Sequence, residues 1–323
     1  MFEGHAETEM AHDARVPGRA GSAGNFDKAR RFAALMCANL ADCWALTKPE
    51  VNFLIALATF TGFYLSHAAQ PEPFPKYLLA CTLVGTLLVA SGTGTLNQYM
   101  ERLFDARMRR TARRPLAAAR MKASLGLAIG IALAGSGVVF LAVWVNLLAS
   151  GLALFTLSAY LFIYTPLKRR SPACTFVGAI PGAMPPLIGW AAASRHLDAE
   201  AWLLFSILFL WQFPHFMAIA WMYREDYGRA GYRVLPMDHA RAAFVTWMTI
   251  LPLLILLPLT LYPAFFGHMN AIYLTGALTA GSIFLYHGSV LVRHKSNQHA
   301  RRLLATSIIY LPVVFALLIV SRY

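Results

Sequence analysis

Three oxygen-bearing side chains, Asn97, Glu101 and Asp105, recur at intervals of four in the stretch LNQYMERLFDARMRRTARRPL, residues 96–116. On an α-helix a step of four residues advances only about 40° around the axis, so the three share one face, one turn above the next. Oxygen ligands stacked in this way suit Mg²⁺, which takes one or two carboxylates, keeps waters and completes its shell with substrate phosphate oxygens. Arg110, Arg113 and Arg114 follow directly, and guanidinium forks bind phosphate bidentately. Acid for a metal beside base for a phosphate is the composition of a diphosphate site. The plainer alternative is a solvated helix end whose charges only set topology.

A second constellation lies in FLWQFPHFMAIAWMYREDYGRAGYRVLPM, residues 209–237. Gln212 and His215 interrupt an apolar helix that Pro214 is expected to bend. Glu225, Asp226 and Arg229 follow at its end. An ionisable group inside an apolar span is a functional candidate. His215 is open to three readings: a haem-iron ligand, a base, or a helix–helix hydrogen bond. His287 is a second such histidine. Between these constellations, YTPLKRRSP (164–172) places Tyr164 and Lys168 four residues apart, with Lys168 available to neutralise diphosphate as it leaves. GAIPGAMPPLIGW (178–190) has the glycine and proline content of an irregular cavity wall or a close helix contact.

The elements that position these residues are membrane spans. Of 323 residues, 58% are hydrophobic and 13% charged, where a soluble domain carries about 25% charged residues. Mean hydropathy is +0.53. Nine apolar segments reach the roughly 20 residues needed to cross a bilayer: 51–69, 77–98, 123–143, 146–165, 174–193, 201–222, 243–262, 269–290 and 304–321. The third and fourth require a tight turn near Asn146. The expected fold is all-α, a polytopic nine-helix bundle over 46–323, preceded by a polar tail at 1–45, with 28–47 forming an amphipathic helix at the membrane surface. Glu3, Glu7, Glu9 and Asp13 argue against a transit peptide, and the tail lacks the apolar core of a signal peptide.

Net charge is +13, but the basic residues sit in short loops between spans and point to topology, not to nucleic acid. With nine spans, 25 Lys and Arg fall on one side and only Lys76, Arg195 and Arg322 on the other. The positive-inside rule then puts the N-terminus in the cytoplasm and the C-terminus outside. The four cysteines, Cys37, Cys43, Cys81 and Cys174, form no metal-like spacing.

NQYMERLFDARMRRTARRPL (97–116), YTPLKRRSP (164–172), GAIPGAMPPLIGW (178–190) and WQFPHF…YREDYGRAGYRVLP (211–236) together resemble the UbiA superfamily of intramembrane prenyltransferases, over about residues 45–320. The pairing of WQFPHF with REDY resembles its haem-modifying branch. The resemblance implies a nine-helix bundle, with Mg²⁺-dependent transfer of farnesyl from farnesyl diphosphate to a vinyl group of haem b; the non-transit-like N-terminus favours a bacterial inner membrane over a mitochondrial one. The product would be haem O, and haem A synthase a natural contact. It also implies that Asn97, Glu101 and Asp105 hold a metal, joined by Asp226 with Glu225. Arg110, Arg114, Tyr164 and Lys168 would meet diphosphate, and His215 would meet haem. Two departures stand out: Glu101 occupies a position where many members carry Asp, and Met222 and Ala230 flank Asp226 where a DxxxD pattern would place acids. Rival readings are a prenyltransferase with a quinone-ring or chlorophyll-type acceptor and a non-catalytic haem transporter. The transporter would call for inverted repeats and midplane charges, which the chain does not display.

Overall fold

The computed structural model describes residues 40–68, 72–236, 239–266 and 269–321. The expected tail therefore lies almost wholly outside the described residues, as does most of the 28–47 helix, of which residues 40–46 are helical. From Pro49 onward the described chain is a succession of helices: α1 Pro49–His67, α2 Lys76–Asp105, α3 Ala123–Trp144, α4 Leu147–Leu167, α5 Cys174–Ser194, α6 Ala199–Met222, the short α7 Arg224–Ala230, α8 His239–Phe266, α9 Ala271–His294 and α10 Asn297–Val320. All of these except α1 and α7 are long and apolar enough to cross a membrane. The 19 residues of α1 reach about 28 Å, so the described residues hold eight helices that meet both criteria and a ninth of near-spanning length, approximately the count expected from hydropathy.

Helices in lipid gain nothing from mutual apolarity and associate where small side chains let backbones close. Gly126, Gly130, Ala134 and Gly137 line the buried stripe of α3, while its larger residues, such as Ile131 and Val139, face outward. This stripe receives α2: a methyl group on Gly92 would stand 2.4 Å from the Ala134 nitrogen. The α1–α5 contact is tighter still, since a methyl on Gly189 would lie 1.9 Å from the Thr59 carbonyl oxygen. Gly189→Ala should therefore force two buried backbones apart and cost about 1–3 kcal/mol, read as a lowered melting temperature in detergent. A variant as stable as the parent would show that the contact yields freely.

Chain breaks follow local chemistry. Asn146 caps α4 by accepting from the Ala149 N–H, and its amide donates to the Ala191 carbonyl at 2.9 Å, which makes the tight α3–α4 turn also a tie to α5. The fifth span breaks at Ala183–Met184, next to Pro181 and ahead of Pro185. Residues 159–164 of α4 form a wide π turn, a local irregularity common near functional sites. Hydrogen bonds also tie helices together deep in the bundle: the Trp211 indole donates to the Ser307 carbonyl at 2.8 Å.

Candidate active site

α2 continues unbroken to Asp105, so Asn97, Glu101 and Asp105 do share one face, and that face is turned inward: they are 2%, 6% and 3% exposed. Buried carboxylates need partners, and each has one. The Asn97 amide donates to Glu101 Oε2 at 2.8 Å and accepts the Thr165 hydroxyl at 3.0 Å, which fixes its orientation. Lys168 reaches across from the end of α4 to both Glu101 oxygens, at 2.8 and 3.1 Å. Arg114, on the loop after α2, closes on Asp105 at 2.8 Å.

The second constellation joins from the other direction. Asp226, on α7, is buried and pairs with Arg229, while the Arg110 backbone N–H approaches its Oδ2 at 3.4 Å. The loop following Asp105 therefore touches Asp226. The stretch after α7 is tied to the Lys168 turn by the Arg233 N–H, which donates to the Lys168 carbonyl at 2.7 Å. Asp105, Lys168 and Asp226 thus belong to one cluster of helix ends and loops. Glu225, which the sequence placed among the metal candidates, is 81% exposed at its side chain and leans only loosely toward Arg224. Consecutive helical residues point about 100° apart, and burying Asp226 turns Glu225 to solvent; its placement gives a metal role no support.

Lys168 is caged. Its ammonium lies 4.5 Å from the Tyr164 ring centre, which itself stands edge-on to Tyr160 at 4.9 Å. Burial works against the charged form, but the Glu101 carboxylate and the phenols of Tyr164 and Tyr160 outweigh it and hold the lysine well above its ordinary pKa. A cation that the motifs did not reveal stands nearby. Lys48, immediately before α1, runs its stem along Gly94 of α2. Burial, then the Arg114 and Lys168 charges, pulls it down from 10.5 to about 7 against the opposing pull of Glu101 and Asp105. Only its TKPE context marks it in the sequence. Arg110 keeps its guanidinium exposed over the Tyr223 ring at 5.2 Å, free to take an anion.

The histidines stand apart. His215 Nδ1 is 2.8 Å from the Ser307 hydroxyl, and its ring stacks on Trp211 at 4.7 Å. His287 packs edge-on to Tyr286 at 5.2 Å. Neither makes a hydrogen bond or ion pair to the acidic cluster. Gln212 bonds the Ala179 carbonyl at 3.0 Å and so ties α6 to α5. Among the described residues no three His, Cys, Asp or Glu side chains gather closely enough to hold a metal by themselves.

Inward-facing carboxylates paired with lysine and arginine thus lie at one end of a bundle of helices of membrane-spanning length, a setting suited to an anionic, metal-bound substrate. Residues 53–315 match the UbiA prenyltransferase family, and the chain belongs to that family. Similar proteins include the protoheme IX farnesyltransferases of Solibacter usitatus, 46% identical over 88% of this chain and 99% of that one, and of Koribacter versatilis, 40% identical over 88% and 94%. The solved structure of a digeranylgeranylglyceryl phosphate synthase superposes with a TM-score of 0.69 at 16% identity, over 88% of this chain and 98% of that one. A UbiA homologue from Archaeoglobus fulgidus bound to GPP and Mg²⁺ gives 0.59 at 14% identity, over 86% and 99%. At those identities the likeness concerns the fold.

Proposed function

We propose that this chain transfers farnesyl from farnesyl diphosphate to a vinyl group of haem b, in a Mg²⁺-dependent reaction that yields haem O and diphosphate. The observation that carries the reading is the paired state of the cluster: Glu101 held by Lys168, and Asp105 by Arg114, both carboxylates buried. A metal–diphosphate complex would offer each group a better partner, a metal for the carboxylates and phosphate oxygens for the cations. Magnesium keeps waters and takes substrate oxygens, so the absence of a three-acid cage among the described residues is consistent with a substrate-bridged ion. Glu101 and Asp105 would hold it from one side and Asp226 from the other, with Asn97 orienting Glu101 rather than ligating. When bound, the metal supplies charge neutralisation on the leaving diphosphate.

The chain's own residues do the rest. Lys168, Arg114 and Arg110 take up phosphate oxygens and stabilise negative charge as the allylic C–O bond breaks. The apolar bundle keeps water from the farnesyl cation until the vinyl group attacks; water then adds to the cation so formed and loses a proton, which gives the hydroxyethylfarnesyl side chain. The acceptor assignment draws on the relatives named as protoheme IX farnesyltransferases. We place the protein in a bacterial inner membrane, N-terminus cytoplasmic and C-terminus outside, on the 25-to-3 division of basic residues. Haem A synthase, which would consume haem O, is the proposed contact.

The test is reconstitution in nanodiscs with farnesyl diphosphate, Mg²⁺ and haem b, followed by mass spectrometry of the extracted porphyrin. The hydroxyethylfarnesyl product is expected. Prenylation of a quinone-ring acceptor with haem untouched would overturn the assignment. His215→Ala should abolish the haem product while Mg²⁺–pyrophosphate binding, measured by calorimetry, stays at the parent value. Retained haem turnover would confine His215 to its bond with Ser307.

A further inference from the structure

One side chain of the second motif stands in the wall of the site with nothing to bond to. Gly231 adopts φ 75°, a left-handed conformation that suits glycine, and turns the chain off the end of α7. The next residue, Tyr232, is then fixed by its N–H to the Tyr227 carbonyl at 2.9 Å and by the adjoining Arg233 bond to the Lys168 carbonyl. Its ring packs against Phe104 at 5.8 Å and Tyr227 at 6.0 Å. The residue is 8% exposed. With Glu101, Phe104, Thr165 and Arg169 it lines a recess.

The Tyr232 hydroxyl is buried there without a hydrogen-bond partner. Buried hydroxyls are normally paired, and an exception calls for a cause. The nearby acceptor is already heavily engaged: Glu101 Oε1 takes Lys168, and Oε2 takes both Asn97 and Lys168. The phenol also lies within reach of Glu101, at a geometry too poor to count as a hydrogen bond, and its hydroxyl is available as a donor. Arg169, at the same recess, rests its guanidinium 4.9 Å from the Phe104 ring centre and is exposed. A rigidly aimed O–H and an exposed cation beside a carboxylate that already has its ammonium make a setting for an anionic oxygen.

We propose that Tyr232 is a further diphosphate-binding residue, its hydroxyl donating to a phosphate oxygen that enters the recess beside Glu101. The proposal rests on the metal–diphosphate reading above. As Lys168 leaves Glu101 for phosphate, the oxygen that it brings in supplies the acceptor the phenol lacks. The aromatic ring would be satisfied by phenylalanine; the donor would not.

Calorimetric titration of inorganic pyrophosphate into the full chain, with Mg²⁺ saturating, tests this. Tyr232→Phe should weaken binding about tenfold, the scale of one hydrogen bond to a charged group. The KM for farnesyl diphosphate should rise by a like factor with kcat little changed. The melting temperature should hold or rise, because the substitution removes only an unpaired buried hydroxyl. An unchanged dissociation constant overturns the proposal, and is what a packing role alone would give. A lower melting temperature also overturns it, because it would show that the hydroxyl has a partner in the ligand-free protein. If the parent protein itself fails to bind Mg²⁺–pyrophosphate, the reading beneath the proposal fails instead.

Discussion

Glu101→Gln should cost about two to three orders of magnitude in turnover and, at the same time, about 3–5 kcal/mol of stability. The first loss follows from removing a charge that opposes the metal. The second follows from the pairing: Lys168 and Glu101 have side chains only 12% and 7% exposed, and removing one partner strands the other's charge away from water. The two losses separate in a double variant. Glu101→Gln with Lys168→Met leaves a neutral pair in the same space and should recover most of the stability while staying inactive. Thermal unfolding and product formation, measured on the same preparations, check both halves. A single variant as stable as the parent, or a double variant no better than the single, would mean that the pair is not buried as described.

Asp226→Asn is expected to lower turnover by a similar factor, about 10²–10³, but with stability within about 1 kcal/mol of the parent. The contrast is physical. Asp226 is buried, but the side chain of its partner Arg229 is 44% exposed, so an abandoned guanidinium finds water. Glu225→Gln, one residue away and solvated, should leave activity intact and serves as the control. An Asp226→Asn variant with near-parent turnover would remove the second constellation from the chemistry and leave diphosphate to α2 and its loop alone.

Much of this was open to reading from residue order. Helical spacing put Asn97, Glu101 and Asp105 on one face because α2 runs on past the apolar stretch without a break. Asn146 announced a tight turn and the glycine- and proline-rich fifth span an irregular wall or a close helix contact, since those residues act locally. Span edges were less legible: α10 begins at Asn297, capped by the Ser296 side chain, seven residues before hydropathy rises enough to mark it. Its first turns therefore carry Arg301 and Arg302 on the helix and not in a loop.

What order could not show is pairing across the bundle. Lys168 meeting Glu101, and Thr165 turning Asn97 into an orienting group, depend on α4 lying against α2. Lys48 joins the cluster from a position 49 residues before Asn97. The difference between Asp226 and Glu225 is one of helix rotation, which burial decides and composition does not. The orphan hydroxyl of Tyr232 is defined by what its neighbours already bond, a property of the assembled site.

The claim underlying the whole account is that acids from α2 and α7 hold one metal-bridged diphosphate. Mn²⁺ in place of Mg²⁺ makes that visible, because a phosphate coordinated to manganese through oxygen produces a ³¹P hyperfine coupling in pulsed electron paramagnetic resonance. With pyrophosphate present, the parent protein should show that coupling, and both Glu101→Gln and Asp226→Asn should lose or sharply weaken it. Coupling that is absent from the parent, or that survives undiminished in both variants, would contradict the account.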